Sequence, residues 1–316
     1  MKTIIFADAH GNELKPLTDG SCKALLPVAG KPVIAHTLEI LYRAGIREAT
    51  VLAGPNRELL DSYLAGGTPW GMQLDIQPRT GLMESVGNTH AEDGLLMVRG
   101  DELADLDLDS IIRKMRDQGR NVMVKTVHGS TVAVWMHCSA EVDDTLENNL
   151  HLALPENGSN NLDSLQAYHR ANMDVMRGSY RHLTPAGIEL SYGIWSEPGA
   201  TLSKDCVKSG NIFVGTASHA HENVTITGDA VISERVLIDR QARLADTVIL
   251  PNTYVGAFTD LTNSIVRGNL LIRVDTGVVT EIGDKHILAD ITPVNRDSKR
   301  RHSLGKRLIS ACKTCA

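Results

Sequence analysis

The sequence predicts an α/β domain on a mostly parallel sheet, followed by a left-handed parallel β-helix of hexapeptide repeats. Three observations carry that expectation. Strand-length apolar runs alternate with amphipathic helix patterns through the first half of the chain. A small-residue loop follows the first strand, at the kind of strand end where parallel sheets bind ligands. From about Val207 the apolar residues recur every six positions. With 316 residues, 42% of them hydrophobic, the chain can bury a full core. The expected divisions are residues 1–190 for the α/β domain, 200–272 for the β-helix and 290–316 for a basic tail.

Taken in order, "TIIFA" reads as a short buried strand and "VIAHTLEILYRAG" as a helix that stops on Gly45. "EATVLAG" is a second strand and "NRELLDSYLAGG" a second helix. "MQLDIQ" and "GLLMVRGD" are further buried strands, the latter closing on Gly100 and Asp101. In the middle, "DLDSIIRKMRDQG" and "DSLQAYHRANMDVMRG" have helical spacing, "NVMVKTV" and "VAVWMHC" read as strands, and "LPENGSNNLD" reads as a polar loop.

The repeat is the clearest regularity. Ile226, Ile232, Ile238, Leu244 and Leu250 stand six apart, and each follows a smaller residue two positions earlier: Val224, Ala230, Val236, Ala242 and Val248. Both rows are expected to point inward, three such units making one triangular coil, and "YVGAF" continues the series after a one-residue slip. An ordinary meander would not hold two rows in register over five units.

Composition excludes some functions. A net charge of −6 argues against general nucleic-acid binding. No apolar run has the length of a membrane span or signal sequence, so a soluble, cytoplasmic chain is expected. Five cysteines without framework spacing agree with a reducing compartment.

Residues 7–34, "ADAHGNELKPLTDGSCKALLPVAGKPVI", resemble the signature of the sugar-1-phosphate nucleotidylyltransferases, A-A-G-x-G-T-R-x-x-P-x-T followed by P-K, P-V and K-P. Ala7, Gly11, Pro16, Thr18, Lys23, Pro27, Val28, Lys31 and Pro32 match it. "LLMVRGDELADLDL" is similar to the segment whose Gly-Asp supplies a magnesium ligand, and "AYHRANMDVMRG" to the helix that joins the catalytic domain to a repeat domain. The resemblance implies a shortened Rossmann-like nucleotidyltransferase domain ahead of the β-helix. It implies a reaction in which a sugar 1-phosphate oxygen attacks the α-phosphorus of a nucleoside triphosphate and pyrophosphate leaves. It assigns Lys23 and Asp101 to catalysis, Ala7, Gly11, Lys23 and Gly81 to the nucleotide, and Asp101 with Asp163 to Mg²⁺.

The departures are equally specific. Glu13 stands at the family's arginine position, Asn12 at its threonine, Ala9 at a glycine and Asp8 at an alanine. An arginine replaced by glutamate reverses the sign of a phosphate contact, and no lysine replaces its forked donor set. Only about sixty residues separate Asp101 from "DSLQAYHRAN", and the E-K-P run of the sugar pocket is absent. Two functions follow. The favoured one is a degenerate relative that binds a nucleotide, a nucleotide sugar or only a partner, and serves nucleotide-sugar or polysaccharide biosynthesis as a binding, regulatory or scaffolding domain. The alternative is an active Mg²⁺-dependent enzyme similar to a mannose-1-phosphate guanylyltransferase.

Several residues keep two readings at this stage. Asp101 is a metal-site residue or a turn cap, Lys23 a phosphate contact or a loop lysine. Asp163 is a metal ligand or the N-cap of the helix beginning near Ser164. His10 is expected to be a solvated turn residue rather than an acid or base. His219 and His221 give a weak likeness to hexapeptide acyltransferases, and Cys312 with Cys315 makes a C-x-x-C without a second pair. The tail "RDSKRRHSLGKRLISACK" is a solvated end or a contact with anionic lipid. The β-helix suggests a homo-oligomer, and the chain resembles a region that precedes a membrane-bound sugar-phosphate transferase in some bacterial proteins.

Overall fold

The computed structural model describes residues 2–54, 56–79, 94–118, 122–126, 130–136 and 150–292. The basic tail from residue 293 and Gly81 lie outside them, as do Cys312 and Cys315.

The first unit is a seven-stranded mixed sheet with helices. Its strands are β1 (Lys2–Ala7), β2 (Glu48–Ala53), β3 (Gln73–Pro78), β4 (Leu95–Arg99), β5 (Val122–Lys125), β6 (Thr131–Met136) and β7 (Leu150–Ala153). Their spatial order is β7-β5-β6-β4-β1-β2-β3. β1 is central and parallel to both neighbours, Ile5 lying opposite Val51 on one side and Val98 on the other. That position explains a strand apolar on both faces: Ile4 and Ile5 are fully buried. β6 runs antiparallel to β4 and β5, so the sheet is Rossmann-like only in its β1–β4 half.

Helices α1 (Val33–Arg43), α2 (Arg57–Leu64), α3 (Leu108–Gln118) and α4 (Leu165–Met176) match the helical patterns of the sequence. α4 starts after Ser164, whose Oγ accepts the Ala167 N–H at 3.1 Å, so Ser164 and not Asp163 is the N-cap. The polar loop also carries more order than its composition suggests. Ser159–Asn160 pairs antiparallel with Leu103–Ala104.

The second unit holds β8 (Ile188–Ser191), β9 (Ile194–Ser196), β10 (Ile212–Val214), β11 (His219–Ala220), β12 (Thr225–Ile232), β13 (Leu237–Ile238), β14 (Arg243–Ile249), β15 (Thr253–Val255), β16 (Asp260–Arg267), β17 (Leu270–Arg273), β18 (Val279–Glu281) and β19 (Leu288–Asp290). They form an eight-stranded sheet, β8-β9-β10-β12-β14-β16-β17-β18, and a four-stranded one, β11-β13-β15-β19. β9 to β16 pair in parallel within their sheets, Ile212 with Ala230, His219 with Leu237 and Thr225 with Arg243. Antiparallel strands finish both sheets. The arrangement is consistent with a β-helix.

The six-spaced rows are buried, with one displacement. Val224, Ile226, Ala230, Ile232, Val236, Ile238, Ala242 and Leu244 share one apolar cluster. The next interior place goes to Ile249, while Val248 and Leu250 join the core of the first unit. The one-residue slip therefore comes earlier than the sequence places it. Ala230 pairs with Thr247 rather than with the residue eighteen further on, and Asp246 takes a left-handed φ of 46° at the tightened turn.

The two units share a core. Phe213, Val231, Val248 and Ile265, the outward neighbours of interior residues on β10, β12, β14 and β16, are buried in the cluster that includes β1 and α1. Gly30, at φ 92° in the turn between Pro27–Val28 and Lys31–Pro32, lies under the Phe213 ring, which any Cβ there would overlap. α4 binds the same turn: Tyr168 Oη donates to the Pro27 carbonyl at 2.5 Å and Asn172 Oδ1 accepts the Ala29 N–H at 2.9 Å. Arg267, at the end of β16, donates from Nη1 to the Pro16 carbonyl at 2.5 Å and from Nη2 to that of Asp19 at 3.2 Å.

Candidate functional site

The site residues stand where parallel strands end side by side. Asp8 follows β1, Asp101 follows β4 and Arg79 follows β3, and the loop after β1 reaches Asp101 through the Ala9 N–H. Gly11 has a φ of 72°. A Cβ there would sit 2.8 Å from Thr18 Cγ2 and 3.2 Å from Lys23 Cβ. Thr18 Oγ1 closes the turn by donating to the Gly11 carbonyl at 2.7 Å. Packing by Thr18 and Lys23 thus demands glycine at this place, whatever a phosphate also requires. Ala7 is buried at the end of β1, so the loop starts from a fixed point.

The charges are matched pair by pair. Lys23 is buried, and its Nζ lies 3.1 Å from Glu13 Oε1. Asp8, nearly buried, is ion-paired with the exposed Arg79. Asp101 is fully buried; its Oδ2 accepts the Ala9 N–H at 2.9 Å, and its Oδ1 takes Arg99 Nε at 2.9 Å and Nη2 at 2.8 Å. Arg99 Nε is also 3.5 Å from Glu102 Oε1. Asp8, Glu13 and Asp101 each have a cation of the same chain beside them.

Electrostatics follow from those partners. Burial pushes the Asp101 carboxyl above the usual range, against the pull of Arg99, the Ala9 N–H and Lys23. Burial likewise raises Glu102, with Arg99 opposing it. For Glu13, burial works upward but is outweighed by a backbone hydrogen bond and by Lys23, so its carboxyl lies below the ordinary value. Asp163 is near enough to Glu13 to oppose that shift, which places it at the same loop.

Of the residues singled out in the sequence, Ala7, Gly11, Lys23 and Asp101 come together around the loop. Asp163 is exposed at its side, and its Oδ2 accepts from Asn161 Nδ2 at 3.1 Å. Gly81 lies outside the described residues. His10 is exposed, in keeping with a solvated turn residue. Two further site residues, Arg99 and Arg79, are not identified by the sequence reading. The signal for Arg99 was present: one cation ends the otherwise apolar run "LLMVRGD". Arg79 carries no local signal, because its partner is on a strand two places away in the sheet.

Mg²⁺ takes oxygen ligands in a near-octahedral shell. Both Asp101 oxygens are already engaged, one of them by a guanidinium, and Asp163 is turned to Asn161. Among the described residues no group of three His, Cys, Asp or Glu side chains is placed to hold a metal ion. As arranged here, these residues do not fit Mg²⁺.

Comparison with known proteins gives matches over this region and beyond. Residues 2–133 match the family model described as Nucleotidyl transferase. A UTP–glucose-1-phosphate uridylyltransferase of Synechocystis is 20% identical over 353 aligned positions, covering 89% of this chain and 91% of that protein. A glucose-1-phosphate thymidylyltransferase of Xanthomonas campestris is 40% identical over 80 residues, 24% of this chain and 27% of that protein. This second match thus spans about a quarter of that relative's length. A crystal structure of a protein described as a glucose-1-phosphate thymidylyltransferase from Bacillus anthracis superposes with a TM-score of 0.45 at 17% identity. It covers 54% of this chain and 94% of that one.

Proposed function

Since the chain belongs to the sugar-1-phosphate nucleotidylyltransferase family, with a nucleotidyl transferase domain over residues 2–133, we propose that it is a degenerate member. In this reading it keeps the family's frame but not its turnover. It acts in nucleotide-sugar or polysaccharide biosynthesis as a binding, regulatory or scaffolding domain. One observation carries the reading: the lysine that would hold phosphate charge is buried against Glu13, which stands at the family's arginine position. A triphosphate would have to displace a carboxylate from Lys23 and then lie beside it. The short stretch between Asp101 and α4 supports the same conclusion, since it leaves little chain to position a sugar phosphate.

The second reading, an active NTP:sugar-1-phosphate nucleotidylyltransferase, is favoured by the likeness to the Synechocystis uridylyltransferase along most of both chains. Lys23 would then contact phosphate and Asp101 would take part in catalysis. That reading requires Arg99 to release Asp101 before Mg²⁺ could use it. Purified protein with Mg²⁺, the common triphosphates and sugar 1-phosphates, assayed for pyrophosphate release, decides between the two. Release above the protein-free rate would establish the enzyme.

The architecture proposed with this function is an α/β domain over residues 1–190 and a left-handed parallel β-helix of hexapeptide units over residues 200–272. The strand pairing one coil apart supports it. We further propose a homo-oligomer, a membrane-bound sugar-phosphate transferase as a partner of the chain, and contact of the basic tail at 290–316 with the inner membrane surface. Among the described residues no helix is long and apolar enough to cross a membrane.

A further inference from the structure

We propose that Arg99 takes the place of a divalent cation at Asp101, so that a phosphate-bearing ligand of this site binds without a metal ion. The inference rests on the reading that the site still accepts a nucleotide or nucleotide sugar, and adds to it how the charge is managed.

The geometry is specific. Asp101 is fully buried, and a buried carboxylate needs an internal counter-charge. Arg99 supplies it with two nitrogens, Nε at 2.9 Å and Nη2 at 2.8 Å, both on Oδ1. The other oxygen is closed by the Ala9 N–H, in the loop that follows β1. A cation coordinating Asp101 would have to displace Arg99 or lie against its guanidinium, and like charges at such range repel strongly in a poorly hydrated site. Arg99 itself is not sealed in. Its side chain is 31% exposed while Asp101 has no exposure, so solvent reaches Arg99 but not the carboxylate it holds. Among the described residues no hydrogen bond or ion pair engages Nη1, the group that would meet a phosphate oxygen. A guanidinium that holds a carboxylate with one edge and offers the other to phosphate does what a bridging metal does, with fixed donor directions. The remaining loop carboxylates do not need a metal either, because Asp8 has Arg79 and Glu13 has Lys23.

The test has two arms on the full chain. In the first, Mn²⁺ is titrated without nucleotide and free ion is followed by its paramagnetic resonance signal. The proposal expects no saturable binding at submillimolar Mn²⁺ by the native protein, and a gain of about tenfold or more in affinity for Arg99→Leu, in which Asp101 loses its counter-charge. In the second, dTTP and UTP are titrated calorimetrically with Mg²⁺ and then with EDTA. The native protein should bind with affinities within about threefold of each other, and Arg99→Leu should lose about tenfold or more in EDTA. Saturable submillimolar Mn²⁺ binding by the native protein overturns the proposal, as does a tenfold loss of its nucleotide affinity in EDTA. If neither triphosphate binds under any condition, the nucleotide-binding reading fails, and the Mn²⁺ arm still decides the role of Arg99. Should Arg99→Leu not fold, the native protein's two titrations suffice to reject the idea, and Arg99→Gln serves as the second variant.

Discussion

Replacing Glu13 by Gln should make the protein bind triphosphate more tightly while making the free protein less stable. The pair separates at 3.1 Å, where the gross attraction at an effective dielectric near 20 is about 5 kcal/mol. The net worth is far smaller. Glu13's side chain is 37% exposed and screened by water, which leaves about 1 kcal/mol. Lys23, only 7% exposed, would be left as a buried ammonium without its partner, at a cost of about 1–3 kcal/mol and a few degrees of melting temperature. The same ammonium would be available to a phosphate oxygen, and a charge-assisted hydrogen bond contributes about 1.5–3 kcal/mol, roughly tenfold to a hundredfold in affinity. Calorimetry with dTTP and UTP, paired with melting curves in the presence and absence of nucleotide, reads both effects. The nucleotide should restore more stability to the variant than to the native protein. If the variant's affinity stayed within twofold of native, Glu13 would not be what restrains Lys23, and the argument for a charge-locked loop would fall.

Other outcomes are expected. Ile238→Asp places an unpaired charge inside the second unit, where Ile238 is almost fully buried, and should cost several kcal/mol; an unchanged melting curve would reject the coil interior. Gly30→Ala puts a methyl group into the Phe213 ring and an L side chain at a φ of 92°, so it should lower stability by about 2 kcal/mol or more, measurable by denaturant titration, and normal stability would mean the ring is not seated there. His36, fully buried with Nε2 3.1 Å from the Val28 carbonyl, has its pKa pushed down to about 3 by burial and then by Lys31. The unfolded chain therefore binds the extra proton between about pH 6.5 and 3. Stability should fall through that window on acidification, by up to about 1.4 kcal/mol per pH unit, and His36→Gln should flatten the slope.

Much of the fold is legible because side-chain periodicity records which faces are buried. The central position of β1 shows in "TIIFA", and the buried six-spaced rows of the second unit show in Ile226, Ile232, Ile238 and Leu244. The slip at Asp246 does not, since a turn shortened by one residue leaves apolar residues at both 249 and 250 and only pairing reveals which one faces inward. The core shared by the two units was partly written in consecutive apolar residues such as Ala230, Val231 and Ile232, which bury both faces of a strand. At the site, the sequence identifies the loop and the reversed charge at Glu13. It misses that Lys23, Arg79 and Arg99 each answer a carboxylate, because ion pairing depends on side-chain direction, which motif spacing does not encode.

The two hydrogen bonds from Arg267 to the backbone of Pro16 and Asp19 limit how such a protein can be recombined. The loop after β1 receives part of its shape from a residue some two hundred and fifty positions later, on the last parallel strand of the other unit. A chimera that joined this α/β unit to a foreign repeat array would leave the two carbonyls without their donor and Phe213's seat on Gly30 empty, even with a perfect peptide junction. The two units are therefore built to be moved as one block rather than exchanged as interchangeable modules.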